Sequence, residues 1–205
     1  LTKTQDGARY VGAYALAMDK LITILVHDVA MHLVARPHAK RWAVMATGGY
    51  GRGEMAPFSD VDLLFVQEKA QDPESQAEIE AILYLLWDLG LKIGHTTRSI
   101  RQNISAAKYD ITIMTSLLET RFICGDEKLA HQFEGAIETV ISKQNPLTFV
   151  HDKLTERDRR HKQHGITRYV VEPQVKECKV GLRDLHTLFW IAKFAYRSSY
   201  IMSIF

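Results

Sequence analysis

Residues 46–66 constrain the fold of this chain more than any other stretch. They follow an apolar run, Trp42-Ala-Val-Met45, that is typical of a buried strand. Four glycines lie between positions 48 and 53, where they permit backbone conformations and close approaches that a side chain would block. Residues 61–66 are apolar again. We therefore expect a strand, a glycine-rich turn and a second strand.

Asp60 and Asp62 begin the second predicted strand. Residues two apart in a strand point to the same side, so both carboxylates would stand beside the glycine turn. Two close carboxylates repel unless a cation or a proton lies between them, and Mg²⁺ prefers one or two protein carboxylates together with substrate phosphates. Turn amides can hold phosphate oxygens. With Gly48, Gly49 and Ser59 nearby, the pattern favours a metal–nucleotide site over a strand that simply begins with polar residues.

The bulk composition is that of a soluble globular protein, with 46% hydrophobic and 24% charged residues. A net charge of +2 is too small to indicate a nucleic-acid surface, so no nucleic-acid partner is expected. Cys124 and Cys178 give neither a disulfide framework nor a metal-binding spacing, which fits a reducing, cytoplasmic setting. We find no uninterrupted apolar run that would span a membrane and no signal-peptide pattern.

The pattern along the chain predicts an α+β fold. Three segments suit strands of a small mixed sheet: residues 41–47, 60–66 and 91–98. Helices are expected over residues 10–35, from Asp72-Pro73 to Gly90, from a capping box at Ser99 and Gln102 to about residue 108, and from Asp110 through Phe122. Beyond residue 125 the pattern is all-helical, and the charges of a long helix from Pro146 are interpreted mostly as a solvated face.

Residues 171–190 form a second informative stretch, in which an irregular segment precedes an amphipathic helix. Lys176 and Arg183 have the charge and reach to bind nucleotide phosphates. Arg183 and Asp184 could equally form an ion pair at the helix start. The chemistry of these residues leaves both interpretations open.

These motifs resemble known families. Gly48-Gly49 followed by Ser59-Asp60-Val61-Asp62 resembles the signature of the DNA polymerase beta-type nucleotidyltransferases. The longer strings Gly-Gly-Tyr-Gly-Arg-Gly-Glu-Met and Pro-Phe-Ser-Asp-Val-Asp-Leu-Leu are similar to a narrower family, the bacterial PII uridylyltransferase/uridylyl-removing enzymes, or GlnD. The resemblance continues to about residue 193 through these matches: Glu172-Pro173, Lys176-Glu177, Gly181-Leu-Arg-Asp184 and Trp190-Ile-Ala192.

The resemblance implies a polymerase beta-type core with flanking helices over residues 1–125 and a helical domain over residues 126–205. It implies transfer of UMP from UTP to a tyrosine of the PII signalling protein, with release of pyrophosphate. A hydrolase domain and glutamine-sensing domains of the family's full-length members do not fit in this chain, which we expect to be a fragment. Cys178 and Val180 stand where the family has glycines, which predicts weaker substrate binding or an altered loop.

The same resemblance assigns roles around the glycine turn. Asp60 and Asp62 would hold Mg²⁺, with Mn²⁺ as an alternative, and the Gly48 and Gly49 amides with Ser59 would seat the phosphates. Separately, Arg52 could neutralise phosphate charge or pair with Glu54.

Sites of this type usually carry a third carboxylate on a later strand, but the matching strand offers His95 and no acid. Asp110 and Glu119 remain candidates, although a helix cap and a surface residue are their plainer interpretations. Two alternatives to the uridylyltransferase stay open. One is a related enzyme that uses ATP and another acceptor, and the other is a non-catalytic module that binds nucleotide or PII.

Overall fold

The computed structural model describes residues 7–32, 42–163 and 175–196, and at its centre lies a four-stranded mixed sheet with the order β3-β2-β1-β4. The strands are β1 (Trp42–Ala46), β2 (Val61–Gln67), β3 (Ile93–Ser99) and β4 (Arg121–Gly125). Strand β1 pairs antiparallel with β2 and with β4, whereas β2 and β3 run parallel. The predicted α+β fold with a small mixed sheet is confirmed.

Eight helices surround the sheet in the described part of the chain. They are α1 (Gly7–His32), α2 (Gly48–Gly51), α3 (Pro73–Asp88), α4 (Ile100–Tyr109), α5 (Ile111–Leu118), α6 (Glu127–Lys143), α7 (Pro146–Gln163) and α8 (Leu182–Tyr196). The predicted caps are confirmed: the Asp72 carboxylate accepts from the amide of Ser75, and Ser99 and Gln102 form both bonds of a capping box. Local side-chain chemistry therefore fixes where these helices begin.

Strand β4 corrects one prediction. The helix expected to run through Phe122 ends at Leu118, and the residues after it pair with β1. Gly125 closes this strand at φ 112°, and a Cβ there would lie 2.6 Å from the Trp42 carbonyl oxygen. Pairing with a distant strand thus decides the conformation of a segment whose local pattern favours a helix.

Each face of the sheet has its own core. Helices α1 and α3 cover one face, where Ile22, Val44, Phe65 and Ile79 are buried together. Helices α4 to α8 cover the other face, and they bury these residues with the sheet: Met45, Leu64, Val66, Phe133, Trp190 and Phe194. The helices after residue 125 therefore share a core with the sheet, although the sequence predicts a domain boundary there.

Helix α1 has, over Arg9–Asp28, the length and apolar composition of a membrane span, with a hydropathy of 1.2. Asp19 and Lys20 interrupt its apolar sequence. Its inward-facing residues, Ala15, Met18, Ile22 and Val26, are buried in the first core. In this structure one side of the helix packs against the sheet, and 22% of the segment is buried. The predicted end of this helix at residue 35 and the Glu172-Pro173 match lie outside the described residues.

Candidate active site

A cleft of about 620 Å³ opens beside the starts of β2 and β3. Its first wall comes from the glycine turn and the two strands: Thr47, Gly48, Asp62, Gly94 and His95. Its second wall comes from α5, α7, α8 and the turn before α8: Ser116, Glu119, Lys153, Arg160, Glu177, Arg183 and Trp190. The cleft thus joins the two most informative stretches of the sequence.

Asp62 lies partly buried between two glycines. A Cβ on Gly48 would lie 3.1 Å from its Oδ2 atom, and a Cβ on Gly94 would lie 2.6 Å from its Oδ1 atom. Gly48 adopts φ 59°, a conformation that favours glycine, and Gly94 is the direct partner of Asp62 across the parallel strands. The two glycines therefore create the space that the carboxylate occupies.

The pKa of Asp62 is raised, first by burial and then by the negative charge of Asp60, while the charge of Lys176 lowers it. Asp60 itself is exposed at the start of the strand. The structure thus brings the two predicted carboxylates close enough to interact, and it places the predicted cation Lys176 within range of the same group. A like-charged pair of this kind is stabilised by a cation.

Ser59 and Gly49, which are also predicted to bind phosphate, are not among the residues that line the cleft. Ser59 is exposed, and its amide donates to the Ala56 carbonyl at 3.2 Å. The Gly49 carbonyl accepts from the Glu54 amide at 2.9 Å. These contacts shape the turn that precedes Asp60, and the proposed phosphate-binding role of Ser59 and Gly49 stays a prediction.

Tyr50 anchors the glycine turn from behind. Its hydroxyl donates to Asp19 Oδ1 on α1 at 2.6 Å, and burial with this contact raises its pKa. Arg121 on β4 pairs with the other Asp19 oxygen at 2.7 Å. Three elements distant in sequence therefore hold the backbone on which Gly48 lies.

Glu119 is a buried carboxylate, so its interpretation as a surface residue is wrong. It follows the last residue of α5 and accepts hydrogen bonds from Arg52 Nη1 and from Trp190 Nε1. It also lines the cleft, and its charge contributes to the raised pKa of Asp62. By contrast Asp110 caps α5, as expected, and accepts from the Thr112 amide at 2.7 Å.

Arg52 lies next to the cleft with its guanidinium held from three sides. It donates to Glu54 at 2.8 Å and to Glu119, so its predicted pairing with Glu54 is confirmed. Its Nη2 atom lies 3.3 Å from Nε2 of His186. Because arginine only donates, Nε2 of this histidine accepts and Nδ1 carries the proton. Burial and then the charge of Arg52 lower the pKa of His186 to about 4, which keeps the ring neutral at pH 7.

Helix α7 turns part of its charge inward. Lys153 is only 2% exposed, its Nζ atom lies 2.6 Å from Glu156, and the same atom lies 4.4 Å from the centre of the Trp190 ring. Burial lowers the pKa of this lysine. The predicted solvated face is therefore wrong for Lys153 and for Arg160, which both line the cleft. The spacing of Lys153 and Glu156, one helical turn apart, is the sequence signal for a local ion pair.

The start of α8 is held by a network of ion pairs. Arg183 donates to Glu177 at 3.3 Å, and Asp184 accepts from Arg160 and, at 3.0 Å, from His161. Arg183 and Asp184 therefore pair with other residues and not with each other. Arg183 also lines the cleft, and its role in binding the nucleotide stays a prediction.

Val180 lies in the turn before α8 at φ 66°, in the region that favours glycine. Its amide donates to the Asp184 carboxylate at 2.8 Å, which holds the turn in place. The expectation that a glycine suits this position thus has a physical basis. Cys178 has no positive φ, so its backbone conformation does not require glycine.

The donor chemistry of the first wall fits a hard divalent cation. Asp62 lies there with the charge of Asp60 near enough to act on it, and within the described residues no three His, Cys, Asp or Glu side chains form a metal-binding group. Mg²⁺ suits such a site, because it takes its other ligands from phosphates and water. Asp60 and Asp62 are the residues that would hold it.

Comparison with known proteins identifies the class of domain. A family model described as a nucleotidyltransferase domain matches residues 36–114, which include the glycine turn, both aspartates and β3. The fold and the site therefore define a nucleotidyltransferase domain. A second model, described as GlnD PII-uridylyltransferase, matches residues 148–203, which include α7 and α8.

Several curated relatives share the name "bifunctional uridylyltransferase/uridylyl-removing enzyme". Those from a Bradyrhizobium species and from Bradyrhizobium diazoefficiens are each 47% identical over 96% of this chain, and the one from Erythrobacter litoralis is 42% identical over 97%. Over nearly its whole length the chain is therefore similar to the GlnD PII-uridylyltransferase family, and it spans 22% of the length of these relatives.

A solved structure, titled "Crystal structure of the toxin-antitoxin with AMP-PNP", aligns with 66% of this chain and 97% of its own at 12% identity. Its TM-score of 0.35 is too low to bear on the fold or function.

Proposed function

We propose that this chain transfers UMP from UTP to a tyrosine hydroxyl of the PII protein and releases pyrophosphate. The observation that carries the proposal is the partly buried Asp62, held between Gly48 and Gly94 with its pKa raised by burial and by Asp60. The relatives that match this chain are named uridylyltransferases, which supports UTP as donor. A cytoplasmic setting, the Mg²⁺ requirement and PII as acceptor are parts of the same proposal.

Transfer requires attack by the tyrosine oxygen on the α-phosphorus, in line with the departing pyrophosphate. Negative charge then develops on the attacking and leaving oxygens. A Mg²⁺ or Mn²⁺ ion held by Asp60 and Asp62 would stabilise that charge. The amides of Gly48 and Gly49, which open α2, and the Ser59 hydroxyl would seat the phosphates. Lys176 and Arg183 would add positive charge from the second wall.

A second candidate is a nucleotide-binding module that does not transfer. One observation favours it: β3 places Gly94 and Thr96 on the face of Asp62, where a third carboxylate would be expected. Glu119 is one of three glutamates that line the cleft together with Asp62, but Arg52 and Trp190 already occupy one of its oxygens. The two candidates differ in whether the UMP group is transferred from the nucleotide to PII.

The test is a transfer assay with Mg²⁺, PII and either UTP or ATP labelled at the α-phosphate. We expect label on PII from UTP. Asp62→Asn should lower the rate of labelling at least about a hundredfold, because charge stabilisation at the reacting oxygens is removed. The matched control is Asp88→Asn, an exposed aspartate at the end of α3 that should leave transfer unchanged.

Each other outcome has a defined meaning. Label from ATP alone would assign the donor to the related adenylyl-transferring class. Binding of UTP without label on PII would support the regulatory module and overturn the transferase proposal.

A further inference from the structure

A side pocket of about 200 Å³ opens from the cleft between β3, α4 and α5. Thr47 and Leu63, the neighbours of Gly48 and Asp62, line both the pocket and the cleft, as do Thr96, Thr112 and Ser116. A group bound at Asp62 is therefore directly next to the pocket. At about 30 Å³ for each water molecule, the volume is that of a single ring with its substituents.

Asn103 on α4 lines the pocket and carries an unsatisfied acceptor. The residue is 0% exposed, and its Nδ2 atom donates to the Ser99 carbonyl at 3.1 Å. Because a carbonyl only accepts, the amide nitrogen must face Ser99, and Oδ1 is left without a partner among the described residues. A buried acceptor without a donor costs stability, so a ligand that supplies an N–H would satisfy this atom.

Arg98 gives the pocket an unsatisfied donor. It lies opposite Val66 in the parallel register, on the same face of β3 as Gly94 and Thr96. It is half-buried and lines the pocket, and it has no hydrogen bond or ion pair with any described residue. The remaining walls include apolar side chains: Leu63, Leu64, Ile113 and Leu117. Apolar walls with a few placed polar groups are typical of a ligand pocket.

We propose that this pocket binds the uracil base of the nucleotide, with Asn103 Oδ1 accepting from the N3–H of the ring and Arg98 donating to a ring carbonyl. The inference rests on the proposed function and names the residues that select the base. Uracil combines an N–H with two flanking carbonyl oxygens, which matches one acceptor beside one strong donor.

Other occupants match less well. Cytosine has no hydrogen on N3, so in the orientation of uracil it would place an acceptor against Asn103 Oδ1. It could satisfy both residues only in a shifted position, with its amino group donating to Asn103 and N3 accepting from Arg98. A purine has two fused rings, which exceed the space. The phenol ring of the acceptor tyrosine must direct its hydroxyl to the α-phosphorus, so it would offer only C–H groups to Asn103. A site that hydrogen-bonds its substrate rejects analogues lacking those groups.

The test compares equilibrium binding of UTP, CTP, ATP and inorganic tripolyphosphate, each with Mg²⁺, to the full chain. We expect the original protein to bind UTP at least about tenfold more tightly than CTP. Arg98→Met and Asn103→Leu should each weaken UTP binding about tenfold or more and leave tripolyphosphate binding unchanged. Arg101→Met is the matched control, because Arg101 is exposed on α4 and should change neither.

Since Asn103 is buried, Asn103→Leu can also disturb folding, so Arg98→Met decides the outcome if that variant is unfolded by circular dichroism. Equal affinities for UTP and CTP, or no loss in Arg98→Met, would overturn the proposal. So would a raised KM for PII with UTP affinity unchanged, since the pocket would then serve the acceptor. If UTP selectivity follows the expected pattern but no label reaches PII, the base pocket stands and the transferase proposal falls.

Discussion

The two walls of the cleft treat charge in opposite ways. On the first wall the pKa of Asp62 is raised, first by burial and then by the charge of the neighbouring Asp60. On the second wall the charges at the start of α8 pair among themselves: Arg160, His161, Glu177, Arg183 and Asp184. The first wall therefore carries negative charge that a cation bound with its triphosphate can neutralise. The second wall is largely neutralised in advance and provides a rigid frame.

The largest effect is expected from replacing Glu119, the residue that links the two walls. Glu119 accepts from Arg52 beside the glycine turn and from Trp190 on α8. Glu119→Ala should destabilise the protein by about 3–5 kcal/mol, because the Arg52 guanidinium and the Trp190 N–H both lose the buried carboxylate that accepts from them. Urea unfolding measures the loss. Glu119→Gln is the control, since it keeps an oxygen for Trp190 and should lose less; an equal loss would show that the charge dominates.

The second test loosens the neutralised wall. Asp184 accepts from Arg160, from His161 and from the Val180 amide. Asp184→Asn should lower the free energy of unfolding by about 1–3 kcal/mol, because charge-assisted bonds are replaced by weaker ones. Asp158→Asn is matched to it, because Asp158 is 59% exposed with Arg157 as its partner, and should stay within about 0.5 kcal/mol. Similar losses in both variants would mean that the network adds no rigidity.

The third test relieves strain in the same wall. Val180 holds φ 66°, which costs a β-branched residue about 1–3 kcal/mol. Val180→Gly should therefore stabilise the protein by about 1 kcal/mol after the entropy that glycine adds to the unfolded chain is subtracted. Val175→Gly, at an exposed position of the same turn without positive φ, should not stabilise. Thermal unfolding of both variants measures the difference, and a destabilised Val180→Gly would contradict the strain.

The smallest effect concerns the first wall. Folding raises the pKa of Asp62, so the ionised carboxylate opposes folding. The protonated form stabilises the folded protein at low pH, and this stabilisation is lost as the pH rises through the pKa of the folded state. Asp62→Asn should thus raise the Tm at pH 7 by about 2 °C, while the gain disappears below the ordinary aspartate pKa. Melting curves from pH 3 to 8 test this. A lower Tm at pH 7 would show that Asp62 stabilises the apo fold.

Much of the fold could be predicted because its signals are local. The caps at Asp72 and at Ser99 depend on neighbours within three residues. Strand β4 could not be predicted, since its conformation depends on pairing with β1. The burial of Glu119 likewise follows from Arg52, which lies 67 residues away in sequence. Such partners determine burial but leave no local pattern.

The contact between Gly94 and Asp62 also limits how this site can change through mutation. Any side chain at position 94 would displace the carboxylate, because even a Cβ would lie 2.6 Å from its Oδ1 atom. A third acid therefore cannot be added at the position directly beside Asp62. The next position on that face is Thr96, opposite Leu64, so a gain of metal affinity by point mutation would have to begin there.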